Sequence, residues 1–281
     1  MCGIVGGIAQ REIEPILMEG LRRLEYRGYD SAGIAVLHDH VLNRVRRQGK
    51  VSELTGALTT TPLPGRLGIA HTRWATHGVP SESNAHPHFG GEGRAAVVHN
   101  GIIENHAALR QRLERTGIQF TSNTDSEVIA HLIVAHLETG MGLVEAVQKT
   151  VAELEGSYAI AVLDREDPQR LVAARHGSPL VVGIGLGEHF VASDVQALQP
   201  VTQRFIYLEN GDIADLKISS VEISDQDGNP VERSPWILEL SADASERGGY
   251  RHFMLKEIFE QPVAIMDTLE GRIEGDRIPD E

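Results

Sequence analysis

The opening run Cys2-Gly3-Ile4-Val5-Gly6-Gly7-Ile8-Ala9 carries no charge, as expected of a short strand buried on both faces. It is followed from Pro15 to Glu25 by apolar residues at helical spacing, with Ile16, Leu17, Leu21 and Leu24 on the inward stripe. Short apolar runs predict further strands at Gly33 to Leu37, Leu67 to His71, Ala95 to His99, Tyr158 to Leu163, Leu171 to Ala174, Leu180 to Val182, Phe190 to Ala192 and Phe205 to Leu208. Helical periodicity returns at Ala107 to Arg115, Asp125 to Glu138 and Leu143 to Glu153, with a Ser/Asn/Thr cluster before the middle one to supply an N-cap. Strands, then helices, then strands again is not the alternation of a doubly wound sheet. It predicts an α+β fold with sheets packed on each other and helices outside. The turn signal Asp225 to Pro230 and the polar stretch after it suggest that the globular part ends there. A helical pattern then resumes from Tyr250 to Gly271.

Composition narrows the function classes. With 26 Lys and Arg against 40 Asp and Glu in 281 residues, the net charge is -14. That charge repels phosphate backbones and anionic lipid, and the longest basic cluster, at Arg44, Arg46 and Arg47, is too short to outweigh it. No nucleic-acid or membrane partner is expected. The single cysteine excludes an internal disulfide framework and suits a reducing compartment, and no run reads as a spanning helix or a secretion signal, so the cytoplasm is the expected location.

That one cysteine follows the initiator methionine. Removal of Met1 leaves a residue carrying both a thiol and a free α-amine, which titrate near roughly 8.5 and 7.7 to 8.0 and so form a nucleophile with its own base. The bland alternative is a small buried hydrophobe. Three other stretches fit amide hydrolysis. His71-Thr72-Arg73-Trp74-Ala75-Thr76-His77-Gly78 follows a strand and offers in Arg73 a planar fork for a carboxylate, or a structural ion pair. Asn100-Gly101 ends a strand in a predicted turn and sets a side-chain amide beside an uncovered backbone N–H, as an oxyanion hole requires, although Asn-Gly also makes ordinary turns. Thr124-Asp125-Ser126-Glu127 offers an acid to an ammonium, or a capping box. His71, His77, His86, His88 and His99 invite a metal reading, but no HExxH helix or cysteine partner accompanies them, and neither a metal nor a cofactor is expected. Gly183 to Gly187 lies between two predicted strands and reads as a hairpin turn, not a phosphate loop.

Taken in order, Cys2 to Gly6, YRGYDSAG at 26 to 33, HTRWATHG at 71 to 78, NAHPH at 84 to 88, HNGIIEN at 99 to 105, TDSE at 124 to 127, SPLVVG at 178 to 183 and the tail Tyr250 to Ile258 resemble the glutamine:fructose-6-phosphate aminotransferase (isomerising) family of class II glutamine amidotransferases. The resemblance implies an N-terminal-nucleophile hydrolase fold, a four-layer αββα sandwich. It implies L-glutamine as substrate and Cys2 as nucleophile, with its α-amine as base and then acid. Asn100 and the Gly101 N–H would hold the oxyanion, and Arg73, with Thr76 and His77 nearby, the α-carboxylate. Asp125 would take the α-ammonium, and Trp74 would gate an ammonia channel. It further implies a glutaminase domain over 2–225, a linker over 226–249 and, over 250–281, the start of a sugar-isomerase domain. Fructose 6-phosphate would meet only the missing remainder of that domain, within a homo-oligomeric full-length enzyme.

Overall fold

The computed structural model describes residues 2–28, 30–74, 78–238, 250 and 252–269. They fall into two units, Met1–Leu238 and Glu239–Glu281. In chain order the strands are β1 (Gly3–Ile8), β2 (Ser31–His38), β3 (Val41–Gln48), β4 (Leu67–Arg73), β5 (His88–Gly90), β6 (Ala95–Ile103), β7 (Gly156–Asp164), β8 (Leu171–His176), β9 (Val181–Ile184), β10 (His189–Ala192), β11 (Arg204–Tyr207), β12 (Ile213–Leu216), β13 (Val221–Ser224) and β14 (Trp236–Ile237). The helices are α1 (Glu14–Leu24), α2 (Val51–Thr60), α3 (His106–Glu114), α4 (Glu127–Leu137), α5 (Leu143–Glu153) and α6 (Phe253–Leu269).

Two antiparallel sheets organise the first unit: an eight-stranded one ordered β14-β11-β9-β10-β1-β4-β2-β3, and a six-stranded one ordered β13-β12-β8-β7-β6-β5. Three apolar clusters fill the spaces between four layers. On β1, Ile4 and Ile8 join the cluster between the sheets, while Val5 joins the one beneath α1 and α2. On β6, Ala96 and Val98 face between the sheets and Val97 faces the cluster under α3, α4 and α5. Period-2 alternation thus sends successive side chains into different cores, which is why these strands read as unbroken apolar runs. The arrangement is the expected αββα sandwich. Leu17, Leu21 and Leu24 of α1 are fully buried, each worth about 1.5–3 kcal/mol relative to exposure.

Four expectations need correction or completion. Asn100 and Gly101 do not end a strand: β6 continues to Ile103, pairing Gly101 with Tyr158. The N-cap Ser126 makes no side-chain cap bond to α4. Strands β3, β5, β12, β13 and β14 and helix α2 were not expected; β3 escapes the pattern because only Leu42 and Val45 of its eight residues are buried. Finally, the first unit extends to Leu238, since β14 pairs with β11 and the Leu238 N–H donates to the Gln203 carbonyl at 2.9 Å. Residues 239–249 of the expected linker lie outside the described residues. In the second unit, α6 carries Pro262 within it. No helix among the described residues is long and apolar enough to cross a membrane.

Candidate active site

The alternation that builds the core also builds the site. On β4, Leu67 and Ile69 face between the sheets, so His71 and Arg73 continue on that face. The same parity carries Cys2 on from Ile4, and Asn100 on from Ala96 and Val98. At one end of the intersheet layer the apolar residues therefore give way to polar ones. There the two sheets enclose a cavity of about 260 Å³, lined by Cys2, Arg73, Trp74, Asn100, Gly101 and Asp125, together with Arg27, His71, His86, His99, Ser126, Ser157 and Ser178 among others.

Cys2 stands at the head of β1, the strand held between β10 and β4. Gly3 next to it pairs with Thr72, and a Cβ on Gly3 would lie 2.7 Å from Thr72 Oγ1 and 2.9 Å from Leu24 Cβ, so the strand packs there only without a side chain. The Trp74 N–H donates to Cys2 Sγ at 3.2 Å. Burial pushes the Cys2 thiol up, and the Trp74 hydrogen bond and the Arg73 charge pull it back only partly. The resting thiol is accordingly protonated near neutral pH, so attack requires a base.

Asn100 faces Cys2 from the other sheet. Its Nδ2 donates to the Cys2 carbonyl at 3.1 Å, and its Oδ1 lies 2.9 Å from His71 Nε2. Gly101 has φ +136°, and a Cβ there would meet the Ser157 carbonyl oxygen at 2.0 Å. Glycine is therefore required, and its backbone N–H is left without a covering side chain. Asp125 is 4% exposed and accepts the Ile103 N–H at 2.8 Å. The Ser126 hydroxyl donates to Asp125 at 3.4 Å, and its oxygen lies 2.8 Å from His99 Nδ1. Behind them Glu127 clamps the approach loop, accepting the N–H and hydroxyl groups of Thr121 and Ser122 at 2.6–2.8 Å. Burial would raise this carboxyl, but those bonds and His131 hold it well below the usual range.

Arg73 is 4% exposed, and its Nη2 donates to the Gly78 carbonyl at 3.1 Å while Nη1 lies 3.8 Å from Asp30. Trp74, by contrast, is 56% exposed at the rim. Thr76 and His77 lie outside the described residues. Among the sequence candidates, the structure thus brings Cys2, Arg73, Trp74, Asn100, Gly101 and Asp125 to one cavity.

Sequence reasoning gave no role to Arg27, which lines the cavity and whose guanidinium pairs with Asp194. It had weighed His71, His86, His88 and His99 against a metal site and given them no other role. His71 and His86 instead stack at 4.2 Å, and the His99 N–H donates to His86 Nδ1 at 3.2 Å. Burial lowers His71 to about 3 and lowers His86, His88 and His99 as well. They are neutral core groups supporting the wall. Strand parity was the signal that could have found His71, since it alternates with Arg73.

Residues 71–200 match the family described as glutamine amidotransferase domain. Over 280 residues, all of this chain and 46% of the relative, the sequence is 59% identical to glutamine–fructose-6-phosphate aminotransferase (isomerising) of Shewanella oneidensis. It is 58% identical to the Pseudomonas aeruginosa protein of the same name, over 97% of this chain and 45% of that one. The chain therefore spans less than half the length of these relatives. Among solved structures, the glutamine phosphoribosylpyrophosphate amidotransferase of B. subtilis, complexed with ADP and GMP, superposes with a TM-score of 0.70 at 26% identity, over 82% of this chain and 50% of that one. The chain belongs to the class II glutamine amidotransferases with an N-terminal-nucleophile hydrolase fold, and corresponds to the N-terminal part of the glutamine–fructose-6-phosphate aminotransferase family.

Proposed function

We propose that the first unit hydrolyses L-glutamine to glutamate and ammonia, with Cys2 as an N-terminal nucleophile after removal of Met1. The observation that carries this reading is the convergence of a thiol, two oxyanion donors, a buried arginine and a buried carboxylate on one small cavity. Its volume suits a single amino acid better than a nucleotide.

Cys2 Sγ attacks the glutamine carboxamide carbon while its proton passes to the α-amine. The new oxyanion is held by Asn100 Nδ2 and the Gly101 N–H. The protonated amine gives its proton to the leaving nitrogen, the C–N bond breaks, and ammonia departs from a γ-glutamyl thioester. Water, deprotonated by the same amine, adds to the thioester, and collapse returns the thiol and glutamate. Arg73, with Thr76 and His77 nearby, takes the substrate α-carboxylate, Asp125 takes the α-ammonium, and Trp74 at the rim gates the exit of ammonia.

The names of the relatives extend the proposal. The ammonia is used to convert fructose 6-phosphate to D-glucosamine 6-phosphate, the first step of hexosamine synthesis, by a sugar-isomerase part of a homo-oligomeric full-length cytoplasmic enzyme. Residues 250–281 begin that part. The 59% identity to the sugar enzyme against 26% to the phosphoribosyl enzyme favours this acceptor. The test is to incubate the purified chain with glutamine and measure glutamate and ammonia separately. Equimolar release that disappears in Cys2→Ala supports the reading, and equal turnover by Cys2→Ala overturns it.

A further inference from the structure

The oxyanion reading leaves one question open, namely what decides which end of the Asn100 amide faces the reacting centre. A carboxamide presents a donor at one end and an acceptor at the other, and only the N–H end stabilises negative charge. We propose that His71 is the positioning residue that holds it: the His71 Nε2–H, donated to Asn100 Oδ1, pins the acceptor end of the amide away from Cys2 and leaves a spare Nδ2–H for the oxyanion. The proposal rests on the reading of Asn100 as an oxyanion donor.

The hydrogen bonds determine the tautomer. Asn100 Nδ2 sits 3.1 Å from the Cys2 carbonyl oxygen, which can only accept. The reversed amide would set oxygen against oxygen there. Oδ1 therefore faces His71 Nε2, at 2.9 Å, and that nitrogen must carry the proton. His71 and Asn100 are respectively 1% and 8% exposed, so losing the histidine donor strands an acceptor where solvent scarcely reaches.

The imidazole is itself fixed. It stacks on His86 at 4.2 Å with the planes 19° apart, and His86 is held in turn by the His99 N–H at 3.2 Å. The loop carrying His86 is tied down by Arg46, which donates to the Ser83 and Ala85 carbonyls, and by Arg44, which donates to the Pro87 carbonyl. A donor to Oδ1 also draws electron density from the amide and strengthens its N–H donors. One of the two Nδ2 hydrogens is used by Cys2, and the second is free to meet the developing charge.

The experiment uses the full chain, with turnover expressed per thiol titrated by a glutamine-like diazoketone, so that misfolded protein is not counted. His71→Leu is expected to lower kcat about 10- to 100-fold, up to the loss of one oxyanion donor, while KM stays within about threefold. His71→Gln, whose terminal N–H reaches the Nε2 position, restores most of kcat. His71→Asn, polar but one methylene shorter, does not. The double variant His71→Leu with Asn100→Ala is no slower than Asn100→Ala alone, because both changes remove one interaction. Multiplicative losses in the double variant, wild-type kcat in His71→Leu, or a Gln variant as slow as the Asn variant would overturn the proposal. An Asn100→Ala variant with wild-type kcat would instead bring down the oxyanion reading itself, and with it the role of His71.

Discussion

The side-chain amide of Asn100 donates to the main-chain carbonyl of Cys2 at 3.1 Å, joining the head of β1 in one sheet to β6 in the other. The candidate nucleophile and the candidate oxyanion donor are thereby held by one hydrogen bond across the sandwich. Their separation is set by the thickness of the intersheet core and not by a loop. Geometry of this kind is preorganised: the donor does not have to move when charge develops.

Gly101 tests that rigidity. A methyl group at φ +136°, 2.0 Å from the Ser157 carbonyl, forces β6 and β7 apart beside Asn100. Gly101→Ala is expected to cost about 1–3 kcal/mol of stability from backbone strain, with loss of glutaminase activity well below the unfolding temperature. Thermal unfolding together with turnover checks this, and an active variant with a wild-type midpoint would show that β6 relaxes around the new side chain.

Arg73 and Asp125 are expected to act on binding more than on turnover. Truncating a buried partner of a substrate charge costs about 2–4 kcal/mol, so Arg73→Ala should weaken glutamine affinity about 30- to 1000-fold. Arg73→Lys keeps the charge but loses the planar fork and recovers only part of it. Asp125→Asn should raise the apparent Kd similarly, and calorimetry in the Cys2→Ala background measures both without turnover. Unchanged affinity in either variant removes that residue from the substrate contact.

Acid should loosen the fold before carboxylates titrate. His71, His86, His88 and His99 are all lowered by burial from 6.5, His71 to about 3, so the folded state binds fewer protons than the unfolded chain once pH drops below about 6.5. The stability due to their neutral forms is fully present above the unfolded value and is lost progressively as pH falls, by up to about 1.4 kcal/mol per pH unit for each histidine. Urea midpoints should therefore decline between pH 6.5 and 5. A flat profile there would mean that these rings carry charge in the native state.

How much was legible in the sequence follows from where side chains point. Leu143–Glu153 appears as the predicted helix, and α1 differs by one residue at each end, because their apolar stripes face one core. Strand β3 was missed because it is an edge strand in which Arg44 and Arg46 serve as clamps for the 83–87 loop, so its polar residues mask its period. Arg73, Asn100 and Asp125 were legible as candidates, since their residue types are unusual at the ends of apolar runs, and the structure brings them to one cavity. Strand parity could place His71 on the face of Arg73, but its partner Asn100 and the Asp194 partner of Arg27 stand 29 and 167 positions away and are brought near only by the tertiary fold. Glu127 looked like half of a capping box and instead organises the loop before Asp125.

The central claim is that Cys2 is an N-terminal nucleophile in a glutamine pocket, and the intact mass of the purified chain before and after exposure to a glutamine-like diazoketone tests it most directly. The account predicts loss of Met1 followed by a single adduct mapped to Cys2, suppressed by excess glutamine. Retained Met1 in an active chain, or a processed chain that takes up no adduct at Cys2, would contradict it.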